Sequence, residues 1–186
     1  MKKNYKEIIP KIFHSVDYEK DIPEEIKEIF RNQVGILKQG IFFHGPPGVG
    51  KTHIVCALIK EMTEHGIDVR FYNTGDFLEK LREEFKNTVV DDDYQGLFRE
   101  TMDFEGILIF DDIGAEKISD WATERLYLII NKKYEDMIPT IFTSNCDLEI
   151  LSARMGDRVT SRIVGMTKVI GLDGRDRRLT KNQNEK

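Results

Sequence analysis

From residue 40 onward, short apolar runs alternate with longer segments of helical period. The runs at Ile41–His44, Val69–Tyr72, Ile107–Phe110, Thr140–Thr143 and Lys168–Ile170 are rich in β-branched and aromatic residues and read as strands. Between them, Phe77, Leu78, Leu81 and Phe85 recur at helical spacing behind Thr74, and Trp121, Leu126, Ile129 and Ile130 do so behind Ser119. Thr74 and Ser119 are the N-cap candidates, because a hydroxyl there can accept from the first free N–H groups of a helix. Strands that alternate with helices predict an α/β fold, a five-stranded parallel sheet covered by helices on both faces. Such a sheet binds ligands beyond the carboxyl ends of its strands, and the polar motifs all fall there.

The chain before this pattern is different in kind. Residues 1–39 carry Pro10, Pro23 and mixed charges, with one helix predicted from Pro23 to about Leu37. They read as an N-terminal extension ahead of a domain at 40–178, with a polar tail at 179–186 expected to be disordered. No apolar stretch is long enough to cross a bilayer, and the lysine-rich start lacks an apolar signal core, so the expected location is the cytoplasm. Cys56 and Cys146 have no partner spacing for zinc and are expected as buried thiols. His14, His44 and His65 lack metal-ligand spacing as well.

The net charge of −5 conceals an asymmetry: −10 over residues 1–150 and +5 over 151–186. A basic C-terminal segment either meets phosphates, on nucleic acid or a neighbour, or is a solvated face. Asp91–Asp93 read as acids at a helix start, where the dipole favours them.

The chemistry begins at Gly45-Pro46-Pro47-Gly48-Val49-Gly50-Lys51-Thr52, a GxxxxGK pattern closed by Thr, with a strand before it and a helix after it. Glycines let backbone N–H groups converge on phosphates, Lys51 reaches the β and γ phosphates, and Thr52 ligates Mg²⁺, so ATP with Mg²⁺ is the expected ligand. His53 belongs to the same stretch and reads as a packing or capping group there. A second strand ends in Asp111 and Asp112. Asp111 is placed to hold Mg²⁺ through its water shell, and Asp112 to orient the attacking water. Asn145 follows a third strand and reads two ways: as an amide for the γ-phosphate or lytic water, or as a cap for the helix starting near Asp147. Arg154, Arg158 and Arg162 are spaced i, i+4, which predicts one row of guanidinium groups, either salt-bridged to acids or reaching a phosphate. Asn131-Lys-Lys-Tyr134 lacks the Asp of an NKxD guanine reader, which argues against a GTPase. The tandem carboxylates argue against a small-molecule kinase.

With those residues in view, the chain resembles the ATPase domain of the AAA+ (ASCE) P-loop family that contains the DnaC and DnaI helicase loaders and the IstB transposition helpers. The resemblance runs over residues 36–178. It rests on the phosphate loop through His53, on Gly75–Arg82, Leu108–Gly114, Ser119–Asn131 and Pro139–Asn145, and on Asp157–Ile163. It implies ATP hydrolysis, with Asn145 as first sensor and Arg162 as an arginine finger that acts on ATP held by an adjacent subunit. Arg158, one turn earlier, is implied as the helper or substitute of Arg162. Gly174-Arg-Asp-Arg-Arg178 resembles the family's closing Gly-x-Asp-x-Arg pattern and makes Arg178 the second sensor. Single-stranded DNA is the implied ligand of the assembly, with Lys80, Arg82, Lys86 and Lys117 as contacts by position. A replicative helicase is the implied partner, a transposase the alternative.

Overall fold

The computed structural model describes residues 4–34, 39–87, 96–115, 119–174 and 176, with the backbone alone at 31–34 and 87. Five strands, β1 (Gly40–His44), β2 (Val69–Asn73), β3 (Ile107–Asp111), β4 (Thr140–Ser144) and β5 (Thr167–Gly171), contain the five expected runs. They form one parallel sheet in the order β2-β3-β4-β1-β5. Before β1 lie α1 (Tyr5–Ile8), a 3-10 turn at Lys11–Phe13, α2 (Tyr18–Asp21) and α3 (Glu24–Val34); α4 (Lys51–Glu64) leads from β1 to β2. Between β2 and β3 run α5 (Thr74–Asn87) and α6 (Gly96–Met102), and α7 (Asp120–Glu135) joins β3 to β4. Finally α8 (Leu148–Met155) and α9 (Asp157–Met166) return the chain to β5.

Successive side chains of a strand point to opposite faces, and that period of two divides the core. Ile41, Phe43, Ile107, Ile109 and Ile141 face a cluster built on Ile54, Val55, Leu58 and Ile59 of α4. Phe42, Leu108, Phe110 and Phe142 face the other cluster, with Phe77, Leu81, Leu126, Ile130 and Ile163. The result is a three-layer sandwich with the strand tips of β1, β3 and β4 at one edge, beside the glycine-rich loop.

The segment before β1, expected as an extension, contributes to the α4 layer. Its Ile9, Val16, Tyr18, Ile22, Ile26 and Phe30 are buried in the same cluster as α4. Lys60 Nζ of α4 donates to the Val16 carbonyl at 3.2 Å across the contact, and within the segment Lys27 Nζ donates to both the carbonyl and the carboxylate of Glu19 at 2.7 Å. The expected tail at 179–186 and the acids at 91–93 lie outside the described residues.

Local details correct two readings. Ser119 caps α7 by accepting from the Ala122 N–H at 3.4 Å, but Thr74 does not cap α5. Because β2 extends to Asn73, it is the Asn73 Oδ1 that accepts from Gly75 and Asp76, at 3.1 and 3.3 Å. The Thr74 hydroxyl instead donates to the Asp111 carbonyl at 2.8 Å, tying the start of α5 to the tip of β3. The expected single row of arginines is broken at Gly156, whose φ of +84° ends α8 and starts α9, so Arg154 and Arg158 sit on different helices. Only Arg158 and Arg162 share one.

Both cysteines are buried free thiols, and burial raises the Cys56 pKa well above its ordinary value. Among the described residues no helix is long and apolar enough to cross a membrane.

Candidate functional site

The loop from Gly45 to Gly50 joins β1 to α4. Gly45, at φ +149°, is pressed by the chain leaving β5: a Cβ there would fall 2.0 Å from the Leu172 carbonyl oxygen. Leu172 is held in place by its N–H, which donates to the His44 carbonyl at 2.7 Å. At the other end, Gly50 caps α4 with no side-chain acceptor. The N-terminus of a 14-residue helix thus meets the loop, where its partial positive charge favours an anion.

Lys51, the first residue of α4, is only 6% exposed. Its ammonium donates to the Gly45 carbonyl at 2.7 Å, the Pro46 carbonyl at 2.9 Å and Asn145 Oδ1 at 2.7 Å. Asn145 in turn donates from Nδ2 to Asp112 Oδ1 at 2.6 Å. Its side chain therefore belongs to the site, and the helix-cap alternative falls away: Asp147 caps α8 by accepting from Ile150 at 2.8 Å. Asp112 sits at φ +58°, a left-handed turn that aspartate tolerates better than most residues.

Strand parity explains the second half of the site. Asp111 follows Ile107 and Ile109 on the face covered by α4, where Thr52 lies in the first turn. The Thr52 hydroxyl reaches the two carboxylate oxygens of Asp111 at 3.0 and 3.1 Å. Asp111 is 6% exposed, and burial raises its pKa, opposed by hydrogen bonds from Thr143 and Thr52.

These donors fit the expected ligand. A buried ammonium and a helix N-terminus suit phosphate oxygens, and a hydroxyl facing a carboxylate offers the hard oxygen ligands that Mg²⁺ takes. No cluster of three or more His, Cys, Asp or Glu suited to a metal exists among the described residues.

Other expected residues lie elsewhere. The His53 side chain faces the N-terminal segment, with Nε2 3.2 Å from Asp21 and its ring edge-on to Phe13, so any share it has in phosphate binding comes from its backbone. Arg162 donates from Nε to Asn131 Oδ1 at 2.7 Å and stacks over Tyr134, while Arg158 stacks over Tyr127. Arg154 donates to the carbonyls of Gly114 and Ala115 at 2.6 and 2.7 Å. Among the described residues the three arginines are thus held by ring faces and neutral oxygens, not by the acids that their spacing first suggested. Lys80, Arg82 and Lys86 are exposed along α5 among Glu79, Glu83 and Glu84. Arg178 and Lys117 lie outside the described residues.

Two site residues escaped sequence reasoning. The Asp176 carboxylate lies against Gly48, where a Cβ would fall 2.0 Å from its Cγ. Thr143 touches both tandem carboxylate residues. Little in the sequence signals it, since Thr143 is one of three hydroxyl residues, with Thr140 and Ser144, in the same buried strand.

Three strand tips therefore converge beside one glycine-rich loop, the arrangement of an AAA+ P-loop nucleotide-binding fold. The chain belongs to the family of IstB-like ATP binding proteins, whose model matches residues 10–184. It is 28% identical over 147 residues to a protein of Geobacillus stearothermophilus described as an ATP-binding protein of insertion sequence IS5376, covering 76% of this chain and 56% of that one. It is 25% identical over 160 residues to the replicative helicase loader DnaI of Bacillus subtilis, covering 79% and 50%. The chain thus spans about half the length of the relatives it matches. Among solved structures, the DnaC helicase loader superposes with a TM-score of 0.75 at 25% identity, covering 88% of this chain and 100% of that chain. DnaI superposes at 0.71 with 20% identity, covering 94% and 100%.

Proposed function

We propose that this chain hydrolyses ATP as a timing switch of the helicase-loader type, working in an assembly on single-stranded DNA in the cytoplasm. The observation that carries the reading is the relay from Lys51 through Asn145 to Asp112, which joins the phosphate side of the site to its carboxylate side. Lys51 exchanges its carbonyl partners for the β and γ phosphate oxygens. Asn145 then has its Oδ1 released, while its Nδ2 still orients Asp112. Asp112 accepts a hydrogen bond from the attacking water and aligns it, which is what an in-line displacement needs most from the protein. Thr52 and Asp111 would hold Mg²⁺, which would supply charge neutralisation on the phosphate oxygens.

Arg162 completes the site of an adjacent subunit, and Arg178 serves as second sensor. In the single chain Arg162 is already held extended on Tyr134 by Asn131, so little ordering is left for assembly to accomplish. Lys80, Arg82 and Lys86 are the exposed cations offered to DNA phosphates.

Phosphate release from ATP tests the reading, measured with and without Mg²⁺ and single-stranded DNA over a range of protein concentrations. Turnover is expected to rise with concentration and to fall by about 10²-fold or more in Lys51→Ala, since the lysine contacts charge that develops in the transition state. Equal turnover of the two proteins in every condition would leave a nucleotide-controlled binding module without hydrolysis.

A second reading, an IstB-like transposition helper, is favoured by the insertion-sequence relative. The two readings name different partners. Capture of the replicative helicase by the immobilised chain supports the loader, and capture of a transposase the helper.

A further inference from the structure

We infer that Thr143 is the positioning residue for both carboxylates of the site, an inference that rests on the hydrolytic reading above. Thr143 lies near the end of β4 and is 1% exposed. The register of β3 on β4 pairs Ile109 with Ile141 and Phe110 with Phe142, and its continuation sets Asp111 beside Thr143 on the α4 face. There the Thr143 hydroxyl donates to Asp111 Oδ1 at 2.6 Å and accepts the Asp112 N–H at 2.8 Å. The Thr143 carbonyl accepts the Ile113 N–H at 2.8 Å.

A hydroxyl has one proton and two lone pairs. With the Asp112 N–H pointing at its oxygen, the proton is directed to Asp111, so the direction of both bonds is fixed. One end of this arrangement holds Asp111 where the Thr52 hydroxyl meets it. The other end pins the backbone of Asp112 in its left-handed turn, and that turn carries the Asp112 carboxylate to Asn145. Thr143 touches no position expected for substrate. Its role is exercised through the two carboxylates, in the way that a partner behind a metal ligand sets the ligand's direction.

The test compares the full chain with Thr143→Val, which keeps the branched shape and loses the hydroxyl, and Thr143→Ser, which keeps the hydroxyl. Binding of a fluorescent ATP analogue is titrated with Mg²⁺, and phosphate release is measured separately as kcat and KM. In Thr143→Val, binding without Mg²⁺ is expected to stay within about twofold of the unsubstituted chain, whereas the Mg²⁺ midpoint rises by about 10- to 100-fold and kcat falls by a similar factor. Thr143→Ser is expected to recover both. An unchanged Mg²⁺ midpoint in a Thr143→Val protein that melts cooperatively overturns the inference, as does a Thr143→Ser protein impaired as much as Thr143→Val. Should Thr143→Val fail to melt cooperatively, Thr143→Cys takes its place against Thr143→Ser, since a thiol is a poor donor to the same carboxylate; equal Mg²⁺ midpoints for the two then overturn it. If the unsubstituted chain itself shows no turnover above Lys51→Ala, the hydrolytic reading fails, while the Mg²⁺ titration still decides the role of Thr143.

Discussion

Lys133 is the residue whose position is least expected from its chemistry. It is fully buried on α7, and its ammonium donates to the carbonyls of Met102 and Phe104, so one charged group holds the loop between α6 and β3 against α7. Burial lowers its pKa from 10.5 to about 8. The unfolded chain therefore keeps a proton that the folded chain releases between pH 8 and 10.5, and stability contributed by this group rises with pH across that window, by at most about 1.4 kcal/mol per pH unit. In thermal melts, the Tm of the chain should rise relative to that of Lys133→Met from pH 8 to pH 10.5. A constant difference would mean that Lys133 titrates alike in both states. Such a lysine cannot be told from its neighbour Lys132 by sequence: Lys132 reaches Asp136 on the surface, and only the rotation of α7 separates them.

At the scale of elements, the helices before β1 form part of the core layer on α4. Phe30 is 1% exposed and packs with Tyr18 at a ring separation of 5.9 Å. Replacing it with alanine removes a buried ring and leaves a cavity that α3 cannot close without losing its seat, at a cost of about 3–5 kcal/mol. Urea unfolding should show that loss as a shift of the single transition, whereas an α3 that merely rests on the domain would leave the main transition in place and lose only a separate early one. The strands were legible because each carries a short apolar run. The role of the first 39 residues was harder to read, because their apolar positions are spread over short helices and a turn, which gives no long period to recognise.

At the scale of the whole molecule, the arginines of α9 lie on its α7 side, held among the described residues by rings and by Asn131. A guanidinium on an aromatic face keeps its charge unneutralised, which suits a group that is to act on a phosphate. Arg162→Ala is expected to melt within about 1 kcal/mol of the parent chain, since it loses one partly exposed hydrogen bond and one ring contact. Its turnover is expected to fall by about 10³-fold or more if it serves as the finger of a neighbour. Mixing Arg162→Ala with Lys51→Ala should then restore part of the phosphate release, because each protein supplies what the other lacks. Absence of recovery in mixtures shown to co-assemble by light scattering would assign Arg162 a structural role on α7.

The sequence by itself determined the five strands, the phosphate loop and the α/β order, because hydrophobic period and glycine spacing are local properties that a chain carries in any conformation. It also placed Asp111, Asp112 and Asn145 at strand tips, since each lies just past a predicted strand. Only the tertiary structure decided what those side chains meet. Of the two readings of Asn145 the fold kept the amide, turned to the Lys51 ammonium, while Asn73 took the cap assigned to Thr74 and Gly156 separated Arg154 from Arg158. Thr143 became a joint between two carboxylates for the same reason: strand order brings β4 beside β3, and hydrogen bonds between residues some thirty positions apart depend on that neighbour relation, which no local pattern encodes.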